Sequence, residues 1–325
     1  MNSGGRIGPP IDRPDRDPVR VYLAGLAPAS RRTMAQALDQ IARITTNGQV
    51  GAEELPWAAL RYEHTRAIRA ALRDLISSRT NRPLGPATIN KSLCALRGVL
   101  REAWRLGLMS AEEYHRATDL EPVRGTTVLR GRALESNEVA SLFHILQRDK
   151  SPAAARDAAI LALGIAGGGL RRAELCRAEL PTDLDRTSWV LTVVGKGNQI
   201  REVPLKNGTV DALRAWLAHR GEEPGPLLCP VLKGGRIQHR RMSEQAIYNI
   251  CAKRAEEAGI ATFTPHDMRR TYISSLLDRG VDISIVSKLC GHHSGPNITA
   301  RYDRRGERAQ HAAAEVLTLP YVFKE

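Results

Sequence analysis

Across 325 residues, 48 Lys and Arg stand against 35 Asp and Glu, a formal charge of +13 with a pI near 10.0. That length accommodates two ordinary domains, and a positive surplus of this size suits a protein that neutralises phosphates and releases their counterions. Aromatic residues make up only 4%, which weighs against stacking platforms for single strands and toward duplex DNA. The five cysteines (Cys94, Cys176, Cys229, Cys251 and Cys290) are odd in number and scattered without a CxxC pair, so neither a zinc finger nor a disulfide framework is supported. No apolar stretch has transmembrane length and none near the start resembles a secretory signal. The expectation is a soluble intracellular protein with reduced thiols, and neither metal nor cofactor.

Residues 1–18, rich in Gly, Pro and alternating charge, read as a disordered leader. From 19 to 118 the pattern is helical throughout. Ser30 is placed to cap a helix carrying Met34, Leu38, Ile41 and Ile44. A second helix is expected from Pro56 through Leu60, Ile68, Leu72 and Leu75, and a third after Pro86 through Ile89, Leu93, Leu96, Leu100 and Trp104. A short fourth runs from Ala111 to Thr118. Basic side chains punctuate these helices; on an ordinary helix they are the wet face, and on a DNA-binding one some meet phosphate. Lys91, Arg97 and Arg101 are the candidates here, with Arg130 and Arg241 further on. Residues 119–133 lose periodicity and read as a linker.

From 134 onward, helices alternate with one small sheet. Ser136 with Glu138 opens a helix, and Asp157 to Gly164 forms a buried apolar one. Trp189–Val194 and Ile200–Leu205 read as two strands joined by a hairpin with Lys196 at its tip. Helices are expected near 209–219, 243–258, 265–279, 282–290, 297–303 and 306–317. The fold class is therefore mainly α, an N-terminal helical domain followed by an α+β domain.

Six polar residues carry the chemistry: Arg171, Lys196, His266, Arg269, His292 and Tyr302. Arg171 follows a Gly-Gly-Gly-Leu turn that permits close backbone approach to a ligand, and it is not a P-loop because no Gly-Lys-Ser/Thr follows. Glu174, one turn on, is expected to orient its guanidinium as a bidentate partner. His266 and Arg269 fall on one helix face, with Asp267 as a capping or orienting group. A planar, permanently charged guanidinium suits two phosphoryl oxygens better than an ammonium does. Lys196 on a mobile tip can protonate a departing oxygen. A free phenol has a pKa of roughly 10, so Tyr302 needs the cationic cluster to become a nucleophile. Taken singly, each is as compatible with a surface charge, a cap or a packing tyrosine. The Cys290-Gly291-His292-His293 run has poor metal-ligand spacing.

The order of these motifs resembles the tyrosine recombinase (phage integrase) family, over about 134–310, with the preceding helices similar to that family's core-binding domain. The resemblance implies a two-domain clamp around duplex DNA and four protomers on two sites. It also implies attack of Tyr302 on a scissile phosphate, a 3′-phosphotyrosine, and a Holliday junction, without metal or ATP. Carried across by motif, Arg171 and Arg269 stabilise the transition state, Lys196 is the general acid, His266 and His292 assist, and Glu174 partners the first arginine. The Ala-rich segment Gln310–Leu317 is similar to the tail that docks on a neighbouring protomer, and an accessory DNA-bending protein is a further possible partner. A cytoplasmic, nucleoid-associated location goes with this. Two departures stand out. Arg270 occupies a position where the family often has His, and nine residues separate His292 from Tyr302, one more than the usual spacing. A type IB topoisomerase, with a similar pocket, and a non-cleaving DNA-binding regulator are the rival readings; a metal-dependent nuclease is weaker, for want of a clustered carboxylate set.

Overall fold

The apolar three- and four-residue steps of the first third become five helices. The structure, a computed structural model, describes residues 14–78, 80–125, 131–195, 198–291 and 299–300. Two units divide the chain, Met1–Leu129 and Arg130–Glu325.

In the first unit, α1 (Pro18–Ala24), α2 (Pro28–Thr45), α3 (Tyr62–Asp74), α4 (Pro86–Arg105) and α5 (Ala111–Thr118) surround one core, with a two-residue hairpin of β1 (Ile76–Ser77) and β2 (Arg82–Pro83) between α3 and α4. Leu38, Leu72, Leu93, Leu96 and Leu100 have no solvent exposure, so α4 is the central helix. Three boundaries differ from the sequence reading. Pro28, with its φ already helical, starts α2 two residues before Ser30, which is internal. The segment after Pro56 is a 3-10 turn, Trp57–Ala59, tied down by the indole Nε1 donating to Ala52 O at 2.7 Å; Leu60 is extended and α3 begins beyond it. The end of the expected leader is folded: a 3-10 turn at Pro14–Arg16 leads to Asp17, whose carboxylate accepts from Val19 N at 2.8 Å and caps α1.

The second unit begins with α6 (Ser136–Arg148), whose cap is Glu135 rather than Ser136: the Glu138 carboxylate returns to Glu135 N at 2.9 Å. Next come α7 (Pro152–Ile165), α8 (Arg172–Arg177), β3 (Glu179–Leu180), β4 (Leu184–Asp185), β5 (Val190–Val194), β6 (Ile200–Pro204), α9 (Gly208–Arg220), β7 (Gly225–Pro226), α10 (Glu244–Glu257), α11 (Pro265–Asp278) and α12 (Ile283–Cys290). The expected hairpin gains a third strand, in order β4-β5-β6, and a separate pair joins β3 to β7. Leu191 faces Val203 and Val193 faces Arg201 across the β5–β6 pair.

The Ala- and Leu-rich run from Ala154 to Gly164 is buried apart from Ala155 and Ala158, which are half-buried, so α7 forms the spine of this unit. Its start is set by Ser151, whose hydroxyl accepts from Ala154 N at 3.2 Å. Arg156 and Asp157, 8% and 1% exposed, are the polar exceptions. Arg156 on the same helix and Arg254 on α10 both reach Asp157, at 2.7 Å each, which satisfies the buried carboxylate and pins α10 to the spine.

Both ends of the expected linker are anchored, which narrows it. Val123 exchanges two hydrogen bonds with the Asn90 amide, at 2.8 and 3.0 Å, and Arg69 Nε donates to Glu121 O at 2.9 Å. At the other end Arg132 N donates to Asp267 at 3.0 Å and Leu134 N to the Thr271 hydroxyl at 2.8 Å. Arg130 lies outside the described residues, as do the leader before 14 and the helices expected after 300.

Candidate active site: an arginine cradle at the end of α12

A helix leaves its last carbonyls without intrahelical partners, and α12 hands two of them to guanidiniums. Gly291 ends the helix in the left-handed conformation, φ 63°, the usual role of glycine at this position. With the chain so turned, Arg269 Nη2 donates to Cys290 O at 2.5 Å and Arg171 Nη2 donates to Gly291 O at 3.1 Å. The two arginines thus grip consecutive carbonyls although 98 positions separate them in the chain.

Each arginine is held from its own side as well. Arg269 is on the buried face of α11, 2% exposed, and its Nη1 donates to Gly169 O at 2.7 Å. That carbonyl belongs to the Gly-Gly-Gly turn between α7 and α8. Gly169 has φ +58°, and a Cβ there would stand 2.8 Å from the Tyr272 ring, so the turn requires glycine for both conformation and space. Arg171 stands immediately before α8 and pairs with Glu174, Nη1 to Oε1 at 2.7 Å, while its backbone N–H reaches Oε2 at 2.8 Å. Glu174 therefore orients Arg171, but the two-pronged pair is made with another residue: Arg201 of β6 meets the same oxygens at 3.1 and 2.8 Å. Burial alone would raise the Glu174 pKa; the hydrogen bond and charge of Arg201, then those of Arg171, outweigh it and bring the carboxyl down to about 2.

Two guanidiniums share the Glu174 carboxylate and a third, Arg269, is held by backbone carbonyls alone, leaving a net positive, partly dry cradle. Burial holds the Arg269 pKa below the ordinary arginine value, and the charges of Arg171 and Arg201 add to this. A guanidinium pushed in that direction remains charged, but its surroundings are short of negative charge, which an oxyanion would supply. His266 is the second residue of α11, after Pro265, and stays exposed. Partial desolvation, then the Arg270 and Arg269 charges, holds its imidazole below the usual histidine value. Thr264 and Asp267 form the capping box of this helix, so Asp267 caps, with Oδ2 accepting from Thr264 N at 2.9 Å. Arg270 is buried and donates to Gly131 O at 3.2 Å, tying α11 to the start of the unit.

Lys196, His292, His293 and Tyr302 lie outside the described residues. The chain beside two of them does not. Gly195 precedes Lys196, and a Cβ on it would stand 3.5 Å from Glu174 Oε1; Gly291, which precedes His292, would place a Cβ 3.1 Å from Arg201 Nη1. Of the residues considered for DNA contact, Arg101 is exposed and Lys91 half-buried on α4. Arg97 instead turns inward and donates to Thr118 O at 3.4 Å and to Leu120 O, because the chain after α5 leaves those carbonyls without helical partners. Arg241 is exposed and pairs with Glu179 at 2.5 Å.

Arg201 is the member of the cluster that no motif flagged. Its signal is a break in alternation: in Arg201, Val203 and Leu205 every second residue points inward, and the first of the three is charged. An ion on the buried face of a strand needs a partner.

Residues 132–308 match the model described as the phage integrase family. The chain belongs to that family. It is 35% identical over 180 residues to a tyrosine recombinase XerC of Myxococcus xanthus, covering 50% of this chain and 56% of that protein. It is 33% identical over 271 residues to a tyrosine recombinase of Synechococcus elongatus, covering 79% and 80% respectively. The chain thus spans little more than half the length of the first of these relatives. Among solved structures it resembles the Tn1549 transposon integrase in complex with transposon right end DNA, with TM-score 0.65, 17% identity, and 93% and 99% of the two chains covered. XerH recombinase bound to its difH substrate gives TM-score 0.64 at 18% identity, covering 91% of this chain and 82% of that one. These likenesses show the mainly helical fold with small sheets in the second unit.

Proposed function

We propose that this protein is a site-specific DNA recombinase that cleaves and rejoins duplex DNA through a 3′-phosphotyrosine and a Holliday junction. One observation carries the reading. Arg171, Arg269 and the chain flanking Lys196 and His292 converge on Glu174 and the end of α12. In this reading the two guanidiniums hold the non-bridging oxygens and stabilise the pentavalent phosphorus. The Tyr302 oxygen attacks; its bond to phosphorus forms as the bond to the 5′ oxygen breaks, and Lys196 gives that oxygen its proton. His266 takes the proton that the Tyr302 phenol gives up on attack, and His292 donates a hydrogen bond to a non-bridging oxygen. The 5′ hydroxyl of a partner duplex then reverses the step. In this reading the phosphotyrosine conserves the energy of the phosphodiester bond, so no ATP is called for, and the guanidiniums supply the charge that a metal would bring.

The first unit supplies DNA contacts through exposed bases such as Arg101, and its excess charge serves the duplex backbone. Assembly of four protomers on two sites, through the Gln310–Leu317 segment, belongs to the same reading. It is supported by a largely apolar groove of about 930 Å3 in the second unit, whose apolar lining includes Val139, Phe143, Leu146, Ala158, Ala162 and Ile165, and which the Ala, Val and Leu composition of such a segment suits.

The test is an SDS-resistant covalent adduct, formed in EDTA on nicked duplexes tiled from DNA flanking the gene. Adduct with wild type and none with Tyr302→Phe is the expected result. Tight binding without adduct favours a non-cleaving regulator. Adduct that religates only its own strand, with no exchange between two duplexes, favours a type IB topoisomerase.

A further inference from the structure

Glu174 is shared by two arginines of different standing. The Arg171 side chain is 35% exposed, at the mouth of the cradle, whereas Arg201 is 11% exposed, at its floor. Arg201 sends all three of its nitrogens to protein: Nη1 and Nη2 to the two Glu174 oxygens, and Nε to Leu289 O at 3.1 Å. Its side chain also runs beneath Gly291, where an added Cβ would lie 3.3 Å from its Cδ. Arg201 therefore does not present a fork to an incoming ligand. It joins β6, α8 and the end of α12 at one point.

A carboxylate buried beside two guanidiniums can lend one of them to an outside anion only if the other keeps its charge matched. We propose that Arg201 is a positioning residue for strand cleavage: it holds Glu174 ionised and the end of α12 in place, so that Arg171 is free to turn its remaining donors to the scissile phosphate. Glu174 in turn sets the direction of the Arg171 fork. This role rests on the recombinase reading above. The electrostatics agree, since the Arg201 contributions to lowering the Glu174 pKa exceed those of Arg171. The same contact holds the end of β5, because Arg201 lies opposite Val193 in the ladder, two residues before Gly195.

The measurement is the pH profile of single-turnover adduct formation by the full-length protein, on whichever tiled nicked duplex traps wild type. Three variants are compared: Arg201→Gln, which can still donate to Leu289 O but carries no charge, Arg201→Lys, and Arg201→Gln in a Glu174→Gln background. The expected results are a loss of about 10-fold or more in rate for Arg201→Gln and an acid limb displaced upward by about one to three pH units. Arg201→Lys should return most of both. In the Glu174→Gln background the further loss on removing Arg201 should be much smaller, because there is no carboxylate left to neutralise. An Arg201→Gln variant with a wild-type acid limb, or the same fold-loss with and without Glu174, overturns the positioning role while wild-type adduct leaves the recombinase reading standing. Wild type that forms no adduct on any duplex overturns the recombinase reading, and this role with it.

Discussion

Replacing Glu174 by Gln removes the charge that two guanidiniums were placed to meet. The side chain is 4% exposed, so solvent screening is slight. With the carboxyl brought from 4.5 to about 2, ionisation of Glu174 contributes about 3 kcal/mol to the stability of the second unit at neutral pH. The sign follows from the direction of the shift. A depressed carboxyl pKa gives stability that is fully present above the ordinary value of 4.5 and disappears as the pH falls through the folded value near 2. At pH 3 roughly half of this should remain. The assay is urea-dependent hydrogen exchange of the buried α7 amides, Ile160 and Leu161 among them, for wild type and Glu174→Gln from pH 7 down to 3. The gap between the two proteins should shrink by about half over that range, while every other carboxylate cancels in the difference. A gap that stays constant with pH would mean that Glu174 acts only as a hydrogen-bonding shape, and would refute the electrostatic account of the cradle.

Three further outcomes follow from individual contacts. Gly169→Ala forces a Cβ to 2.8 Å from the Tyr272 ring at φ +58°; it should cost about 1–3 kcal/mol in thermal unfolding and lower cleavage by moving the carbonyl that holds Arg269, and an unchanged melting curve would contradict the turn's assigned role. Arg97→Ala should destabilise the first unit by about 1–3 kcal/mol through its lost carbonyl partners with no change in the salt dependence of DNA binding, whereas Arg101→Ala should leave stability intact and lower the salt slope by about 1; the reverse pattern in filter-binding titrations would exchange their roles. His266 should titrate below the ordinary histidine value of 6.5 in an NMR pH series, so that its contribution to stability is present above that pH and is lost as the pH falls through the folded value; a midpoint above 6.5 would show that a carboxylate, not Arg270 and Arg269, governs the ring.

What the residues determine locally could be read in advance. Helix α5 runs from Ala111 to Thr118 as its spacing implies, α4 starts at Pro86, and the β5–β6 hairpin brackets Lys196, because period and turn chemistry act within a few positions of the chain. The pairing of Arg171 with Glu174 was legible for the same reason, being one helical turn. Boundaries set by a distant partner were not: α3 starts late because Leu60 is buried in the core and Trp57 is tied to Ala52, and the linker shortens because Asn90 holds Val123 and Asp267 holds Arg132. Motif order alone suggested that Arg171 and Arg269 belong together, but only the packing of α11 and α12 against the glycine turn brings their guanidiniums to neighbouring carbonyls. Arg201 entered the cluster by the same route. Its sequence neighbours specify a strand, and nothing within that strand says that the inward face at this one position meets a carboxylate from α8 rather than a hydrophobic core. Local periodicity records which face a residue takes; what lies across from that face is decided by elements far away in the chain.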